Sequence, residues 1–128
     1  MMETSLGKQD FDRDQARMSL IVVRQDLTLP QQLVQACHAS SMAGHHFPGW
    51  AQDTRMALLA AKDLNHLLEA VRRLRSLDIP FCDFFEPDHA IGFSALATAP
   101  LPWKQARKAL PKYELWTPQK EREMVALD

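Results

Sequence analysis

The segment MSLIVVRQDLTLPQ, residues 18–31, carries the strongest structural signal in this chain. Its first half, MSLIVVR, is a short apolar run rich in β-branched residues that ends abruptly in charge, which is typical of a strand covered on both faces. Its second half places Thr28 and Gln31 at the T-x-x-Q spacing of a capping box, and Pro30 is tolerated in a first helical turn. A buried strand that leads directly into a helix favours an α/β sheet.

The helix that begins after Thr28 is expected to stop at Gly44 and the Phe47-Pro48-Gly49 stretch. Apolar and small residues recur along this helix at i, i+3 and i+4 spacing, and such a face can pack closely on a sheet. The predicted packing face consists of Leu33, Val34, Cys37 and Ser41, with Ala36 and Ala39 beside them.

Three further strands and a second helix are predicted along the chain. The strands are expected at residues 55–60, 80–85 and 93–98, and Asp63 stands where the N-cap of the second helix should be. The apolar positions of that helix are Leu64, Leu67, Leu68, Val71 and Leu74. The order β-α-β-α-β-β predicts an α/β fold, a three-layer α/β/α sandwich around a four-stranded mixed sheet.

The two ends of the chain differ from this middle part. Residues 1–17 mix polar and charged residues without a sustained period, which predicts a mobile N-terminal arm. We expect the α/β domain to span residues 18–100. Residues 101–128, the C-terminal extension, contain three prolines, so only a short helix is predicted there, at residues 103–110. Tyr113 and Trp116 are expected to anchor the extension to the domain.

Composition narrows the class of protein. The 128 residues, 46% hydrophobic and 24% charged, suit one soluble globular domain and exclude a disordered or collagen-like chain. A formal net charge of -1 excludes a strongly basic molecule but leaves a local basic patch open. Cys37 and Cys82 have no CxxC spacing, which predicts free thiols in the cytoplasm. No apolar run is long enough for a membrane span, so no membrane partner is expected.

Polar residues of the first helix form a first candidate site. Gln31, Gln35 and His38 lie at i, i+4 and i+7, so their side chains project in roughly one direction, just beyond the carboxyl end of the first strand. Ligands bind at that edge in open α/β sheets. The alternative is that Gln31 only caps the helix, Gln35 is solvated and His38 packs against the sheet.

Two further candidates follow strand ends. Arg24 closes the first strand, where it either projects into the same crevice or pairs with a carboxylate. Glu86, Asp88 and His89 occupy the turn after the third strand, and a carboxylate placed there can act as a general base that activates water. The alternative is an ordinary turn, because proline and acidic residues are common turn formers.

The C-terminal extension carries a basic stripe. Lys104, Arg107 and Lys108, with Lys112 one turn beyond, line one face of the predicted helix. Such a stripe either tracks a phosphate backbone or is simply a solvated surface. No familiar metal-ligand spacing, hydrolase elbow, phosphate loop or dinucleotide fingerprint is present, so no metal or cofactor is predicted.

Several of these segments together resemble the type 2 peptidyl-tRNA hydrolases. The resemblance rests on residues 20–27 (LIVVRQDL), residues 35–39 (QACHA), the acidic turn and residues 92–100 (GFSALATAP). It covers residues 18–100. It implies a small α/β/α fold, usually dimeric, that hydrolyses the ester between a peptidyl or N-blocked aminoacyl group and tRNA, without a metal or cofactor.

The resemblance also implies roles for individual residues. Gln35 and His38 match a glutamine and a histidine on the family's first helix, Ser94 matches a hydroxyl residue on its last strand, and Glu86 or Asp88 stands for its catalytic aspartate. A carboxylate or imidazole would orient water, and amide and hydroxyl donors would hold the developing oxyanion.

The expected substrate-binding residues are Arg24, Gln31 and the basic residues Lys104, Arg107 and Lys108. Gln31 stands where the family has a lysine, so an amide replaces a cation at this position.

Three functions are therefore open. The first is hydrolysis of a peptidyl-tRNA ester by a homodimer. The second is a non-catalytic module that uses the same crevice or the basic extension to bind RNA, a small ligand or a protein. The third is self-association through Phe47, Trp50 and the aromatic residues of the extension.

Overall fold

Strands and helices alternate along the domain. The structure, a computed structural model, describes residues 16–50 and 53–118. The strands in these residues are β1 (Arg17–Arg24), β2 (Arg55–Ala61), β3 (Phe81–Glu86), β4 (Gly92–Thr98) and β5 (Leu101–Pro102). The helices are α1 (Leu29–His46), α2 (Leu64–Ser76) and α3 (Trp103–Ala109), and a 3-10 turn at Asp88–Ala90 joins β3 to β4.

The strands form a mixed sheet in the order β2-β1-β4-β3, with β5 paired to the start of β1. β1 and β2 are parallel, whereas β4 runs antiparallel to both of its neighbours. The crossover through α1 therefore produces the parallel pair, and the short link between β3 and β4 returns antiparallel. The predicted four-stranded mixed sheet is confirmed, and the two-residue β5 is an addition to it.

Residues of β1 alternate between two cores, one on each side of the sheet. Leu20 and Val22 pack in a core with residues of α2 and α3. Ile21 and Val23 pack with residues of α1. The helices thus form two outer layers, and the predicted three-layer sandwich is confirmed. We call the two sides of the sheet the α1 face and the α2 face.

The predicted packing face of α1 is confirmed only in part, since Ala39 is buried and Ala36 packs against the core. Leu33 and Val34 are 47% and 50% exposed, and Cys37 and Ser41 are exposed as well. The residues that α1 buries are Gln32, Gln35, Ala39 and Ala43. Alanine lets the helix approach the sheet closely, and the two amides find hydrogen-bond partners there, so the cost of burying them is offset. An apolar pattern alone cannot reveal such partners.

The predicted helix starts are confirmed. Thr28 Oγ1 accepts from the amide of Gln31, and Gln31 Oε1 accepts from the amide of Thr28 at 3.0 Å. Asp63 caps α2 by accepting from the amide of His66. The predicted stop at the Phe47-Pro48-Gly49 stretch is confirmed, because α1 ends at His46 and Phe47 is its C-cap, whereas the predicted stop at Gly44 is wrong, since Gly44 stays within the helix.

The predicted apolar stripe of α2 is confirmed at its centre. Leu67, Val71 and Leu74 are buried, together with Ala70. Leu64 is exposed and Leu68 is half-buried, so the stripe is narrower than the sequence predicts. Alanine at position 70 contributes to the contact because its small side chain brings the helix close to the sheet.

The C-terminal extension packs along the free edge of β2. The predicted short helix is present as α3, and Leu110 after it lies in the core of the α2 face. The chain then lies alongside β2. The amide of Ala60 donates to the carbonyl of Glu114, and the amide of Trp116 donates to the carbonyl of Leu58. This segment occupies the edge of the sheet, which would otherwise present unpaired backbone groups.

Tyr113 and Trp116 anchor the extension, as predicted. Tyr113 Oη donates to the carbonyl of His66 at 2.7 Å, and Trp116 Nε1 donates to Gln32 Oε1 at 2.7 Å. Trp116 also packs on the core of the α1 face together with Phe47 and Trp50. These three rings are half-buried against the chain's own core, and the self-association that the sequence suggests for them stays a prediction.

The start of the domain can be compared with the predicted one, whereas residues after 100 contribute to its core. β1 begins at Arg17, one residue before the expected start. The predicted N-terminal arm lies outside the described residues, apart from its last two. No helix within the two described ranges is long and apolar enough to cross a membrane.

Candidate functional site

The carboxyl ends of β1 and β3 meet the start of β4 at one edge of the sheet. The topology dictates this, because β1 and β3 run in the same direction and β4 runs against both. α1 begins near this edge, after a short link from β1. We call this edge the strand-end rim. Arg24 and Glu86 are the last residues of their strands there.

Gln35 joins Glu86 and Ser94 at the strand-end rim. Gln35 Nε2 donates to Glu86 Oε2 at 3.1 Å, and Gln35 Oε1 accepts from Ser94 Oγ at 2.6 Å. Gln35 is only 3% exposed and Ser94 is fully buried. The bonds run in one direction, from the hydroxyl through the amide to the carboxylate, so each polarises the next. The alternative that Gln35 is solvated is therefore wrong.

A β-bulge turns Ser94 toward α1. Ala95 pairs with Phe84, but the next pair is Phe93 with Phe85, so Ser94 is the extra residue between the two pairs. In a regular strand, Ser94 and Ala95 would point to opposite faces. With the bulge, Ser94 bonds to Gln35 on the α1 face, where Ala95 also packs. Bulges often redirect a side chain beside a functional site.

Glu86 is held in its ionised form. The hydrogen bond from Gln35 is the largest cause that lowers the pKa of Glu86 below its ordinary value. The amide of Asp88, 3.2 Å from Glu86 Oε1, and the nearby imidazole of His38 lower this pKa further, while desolvation opposes them. A hydrogen bond to the side chain of Asp88 also lowers the pKa of Glu86, so the carboxylate has three partners and a remaining lone pair for a water molecule or a substrate.

The turn after Glu86 is strained. His89 and Ala90 have φ angles of 59° and 55°, in the left-handed region that favours glycine, and Gly92 follows at 73°. Left-handed residues other than glycine persist only where the surrounding structure holds them, and such strain concentrates at functional sites. Here the strained turn orients the amide of Asp88 toward the carboxylate of Glu86.

His38 and Asp88 contribute the exposed groups of the site. The imidazole of His38 stacks on the ring of Phe84, with centroids 4.5 Å apart and an interplanar angle of 10°. Its outer side is exposed, and so is Asp88 on the turn. A substrate can therefore contact His38, Asp88 and the half-buried Glu86 directly. Gln35 and Ser94 are buried and act on a substrate only through Glu86.

The two other predicted substrate-binding residues near the rim are engaged elsewhere. Gln31 Oε1 completes the capping box, as the alternative reading holds. Arg24 pairs with Asp26 at 2.7 Å, so the second of its two predicted roles is confirmed. By alternation along β1, Arg24 lies on the same side as Val22, the α2 face. Gln35 and Glu86 meet on the α1 face.

The basic stripe is remote from the strand-end rim. Lys104, Arg107, Lys108 and Lys112 are all exposed, and because α3 ends at Ala109, Lys112 lies beyond the helix. α3 follows β5, which pairs with the start of β1, so the stripe begins at the opposite edge of the sheet. α3 packs in the core of the α2 face. The stripe and Glu86 therefore lie on different sides of the sheet.

No group of three or more His, Cys, Asp or Glu side chains within residues 16–50 and 53–118 is arranged to hold a metal ion. Cys37 and Cys82 are free.

No model of a protein family matches the sequence, and no curated protein matches it. The resemblance to the type 2 peptidyl-tRNA hydrolases therefore stays a prediction.

The sequence pattern predicts the residues of the site but not the contacts that orient them. The predicted convergence of Gln35, His38 and Glu86 is confirmed. The supporting ring of Phe84 and the bulge at Ser94 are not predicted. The bulge is visible only as one surplus residue in β4 relative to β3, and that surplus cannot be counted before the register is known.

Replacing Gln35 by methionine is expected to raise the pKa of Glu86 toward its ordinary value. Methionine has a similar shape but cannot donate, so the largest cause of the lowered pKa disappears. Removal of the hydrogen-bond partner of Ser94 should also lower the free energy of unfolding by about 1–3 kcal/mol. Titration of the Glu86 carboxyl carbon by ¹³C NMR and urea unfolding measure the two effects.

The stability effect has a defined pH dependence. A lowered pKa in the folded state stabilises the fold above the unfolded-state pKa, and this contribution disappears as the pH falls through the folded-state value. Gln35→Met should therefore weaken the loss of stability in acid. The matched control is Gln31→Met, the same change one turn earlier, which should leave the Glu86 titration unaltered. An unshifted Glu86 in Gln35→Met would contradict the assignment.

Proposed function

We propose that this chain is a hydrolase that cleaves the ester between a peptidyl or N-blocked aminoacyl group and tRNA. The observation that carries the proposal is the ionised carboxylate of Glu86, oriented by buried Gln35 and Ser94 and open to solvent at the carboxyl ends of the strands. That edge is where open α/β sheets bind their ligands. The choice of tRNA rests on the family resemblance of residues 18–100.

The proposed reaction is general-base hydrolysis. Glu86 accepts a proton from a water molecule while the water oxygen attacks the ester carbonyl. When the ester C–O bond breaks, the same proton returns from Glu86 to the departing 3' oxygen of the ribose, so that acid and alcohol leave. His38 stands beside Glu86 on the ring of Phe84, where its imidazole can donate a hydrogen bond to the developing oxyanion.

The geometry favours Glu86 over Asp88 as the base. Glu86 receives donors at both oxygens, from the side chain of Gln35 and from the backbone of Asp88. Its orientation is therefore set before a substrate binds, which is what electrostatic preorganisation requires. The side chain of Asp88 is exposed and also bonds to Glu86, whose pKa it lowers, so Asp88 supports the base. A substrate of this class places the protein in the cytoplasm, where its two free thiols would persist.

Glu86→Gln is expected to lower kcat by roughly 10²–10⁴-fold, because an amide cannot accept the proton of the attacking water. Release of free tRNA from N-acetyl-aminoacyl-tRNA measures the rate. Glu69→Gln, the same change on the exposed side of α2, should leave the rate unaltered. The proposal fails if the wild-type protein releases no more tRNA than buffer does, or if Glu86→Gln is as fast as the wild type.

A second candidate function, RNA binding without chemistry, is supported by a basic surface on the α2 face. Seven exposed cations lie on α2, α3 and the turn that follows: Arg72, Arg73, Arg75, Lys104, Arg107, Lys108 and Lys112. The two helices are joined at this surface, since Arg73 donates to the carbonyls of Ala109 at 3.1 Å and Lys108 at 3.4 Å. With an overall net charge of -1, the positive charge is concentrated locally.

Binding to this basic surface should depend steeply on salt. Lys104→Ala with Lys108→Ala is expected to weaken RNA binding and to reduce the slope of log K against log[salt] by roughly 0.7–0.9 for each phosphate that the protein no longer neutralises. Fluorescence anisotropy with a labelled tRNA measures both. Lys62→Ala, at the other end of α2, should change neither. Equal salt slopes for the wild type and the double variant would reject the basic surface as an RNA site.

We also propose that the chain forms a homodimer through the exposed side of α1. The sequence of this helix, LPQQLVQACHASSMAGHH, contains no Asp, Glu, Lys or Arg. Leu33, Val34 and Met42 are 47%, 50% and 40% exposed. An apolar surface of this kind marks an interaction site. A second copy suits it, because a two-fold axis would bring no like charges together.

Leu33→Lys is expected to shift the protein from dimer to monomer, because two lysines would face each other across the interface. Light scattering after size exclusion, over a series of concentrations, gives the mass. Leu77→Lys is the matched control, since Leu77 is 40% exposed at the end of α2, on the other side of the sheet. A wild-type protein that is monomeric at every concentration would disprove this dimer.

A further inference from the structure

Arg24 is the last residue of β1, and the proposed reaction gives it no role. Its guanidinium makes four hydrogen bonds. Nη1 donates to the carbonyls of Ile91 at 2.8 Å and Phe93 at 2.9 Å. Nε and Nη2 donate to the carboxylate of Asp26 at 2.9 and 2.7 Å. The side chain of Arg24 is only 11% exposed, so the group that holds these partners is largely shielded from water.

The two carbonyls that Arg24 binds flank Gly92, at the junction of the strained turn and β4. Ile91 also bonds through its own amide to the carbonyl of Asp88 at 3.2 Å. The amide of Asp88 donates in turn to Glu86 Oε1. Arg24 is thus connected to the carboxylate of Glu86 through two backbone groups of the turn.

The second carbonyl leads to the bulge. Phe93 is paired with Phe85 and directly precedes Ser94, the surplus residue of β4. By holding the carbonyl of Phe93, Arg24 fixes the backbone from which the Ser94 side chain reaches Gln35. Both hydrogen-bond routes to Glu86, through Asp88 and through Gln35, therefore start from backbone that Arg24 holds.

We propose that Arg24 is a positioning residue that fixes Glu86 through the Asp88 turn and the Ser94 bulge, acting from the opposite face of the sheet. The inference deepens the proposed function, on which its catalytic consequence rests. Arg24 contacts no substrate in this role. Its ion pair with Asp26 orients the guanidinium, and the bonds to Ile91 and Phe93 do the positioning.

The role requires arginine specifically. The planar guanidinium carries five N–H donors in a fixed arrangement, and Arg24 makes four hydrogen bonds toward two directions at once. A lysine has three donors on one atom and cannot span the carboxylate of Asp26 and two carbonyls with the same geometry. The left-handed residues His89 and Ala90 show that this turn needs such external support.

The test compares Arg24→Gln and Arg24→Lys with the wild-type full-length protein by ¹³C NMR titration of Glu86. Without the two carbonyl bonds the turn is free to move, so the donors to Glu86 are displaced and its pKa should rise toward the ordinary value in both variants. Where tRNA ester hydrolysis is present, kcat should fall by roughly tenfold to a hundredfold with little change in KM. Circular dichroism verifies that each variant is folded.

Arg17→Gln is the matched control. It makes the same change at the exposed start of β1, at the end of the strand away from the turn, so Glu86 should titrate as in the wild type. A folded Arg24→Gln or Arg24→Lys protein with an unshifted Glu86 would overturn the inference and reduce Arg24 to a structural role. The titration needs no turnover, so failure of the hydrolase proposal is detected separately by the tRNA assay.

Discussion

A buried amide that must satisfy both of its polar ends governs the arrangement of this protein. Gln35 lies under α1, and its donor and acceptor are matched by a carboxylate on β3 and a hydroxyl on β4. Burying an amide without these partners would be costly, so they determine how α1 is rotated over the sheet. With Gln35 turned inward, Leu33 and Val34 are necessarily turned outward, because they lie on the other side of the helix.

A second buried amide, one turn earlier, binds α1 to the other end of the chain. Gln32 donates to the carbonyls of Gln25 and Leu27 and accepts from Trp116. The same helix face thus connects the β1–α1 link, the C-terminal extension and the strand-end rim. Polar contacts of this type specify one arrangement more sharply than apolar contacts do, because each has few acceptable partners. The site is positioned by this network rather than by a deep pocket.

Three surfaces with different chemistry lie on this fold. The ionised Glu86 lies at the rim on the α1 face, the basic surface covers α2 and α3, and the uncharged side of α1 faces outward. His38 lies one turn after Val34 and one turn before Met42, so the uncharged side of α1 borders the site. This arrangement means that RNA binding can be altered separately, whereas dimer formation and hydrolysis are coupled. It also shows why the small net charge of -1 describes none of these surfaces.

The sequence of short segments predicts the order of strands along the chain, the capping box at Thr28 and the N-cap at Asp63. These features depend only on residues within one turn or one strand. The sequence also indicated that Gln35, His38 and Glu86 would meet, since carboxyl ends of strands and the following helix share an edge. Local chemistry does not predict the rotation of α1, the bulge at Ser94 or the two carbonyl partners of Arg24. Each depends on hydrogen bonds between residues more than 50 positions apart, whose satisfaction is defined only when strands and helices are packed together.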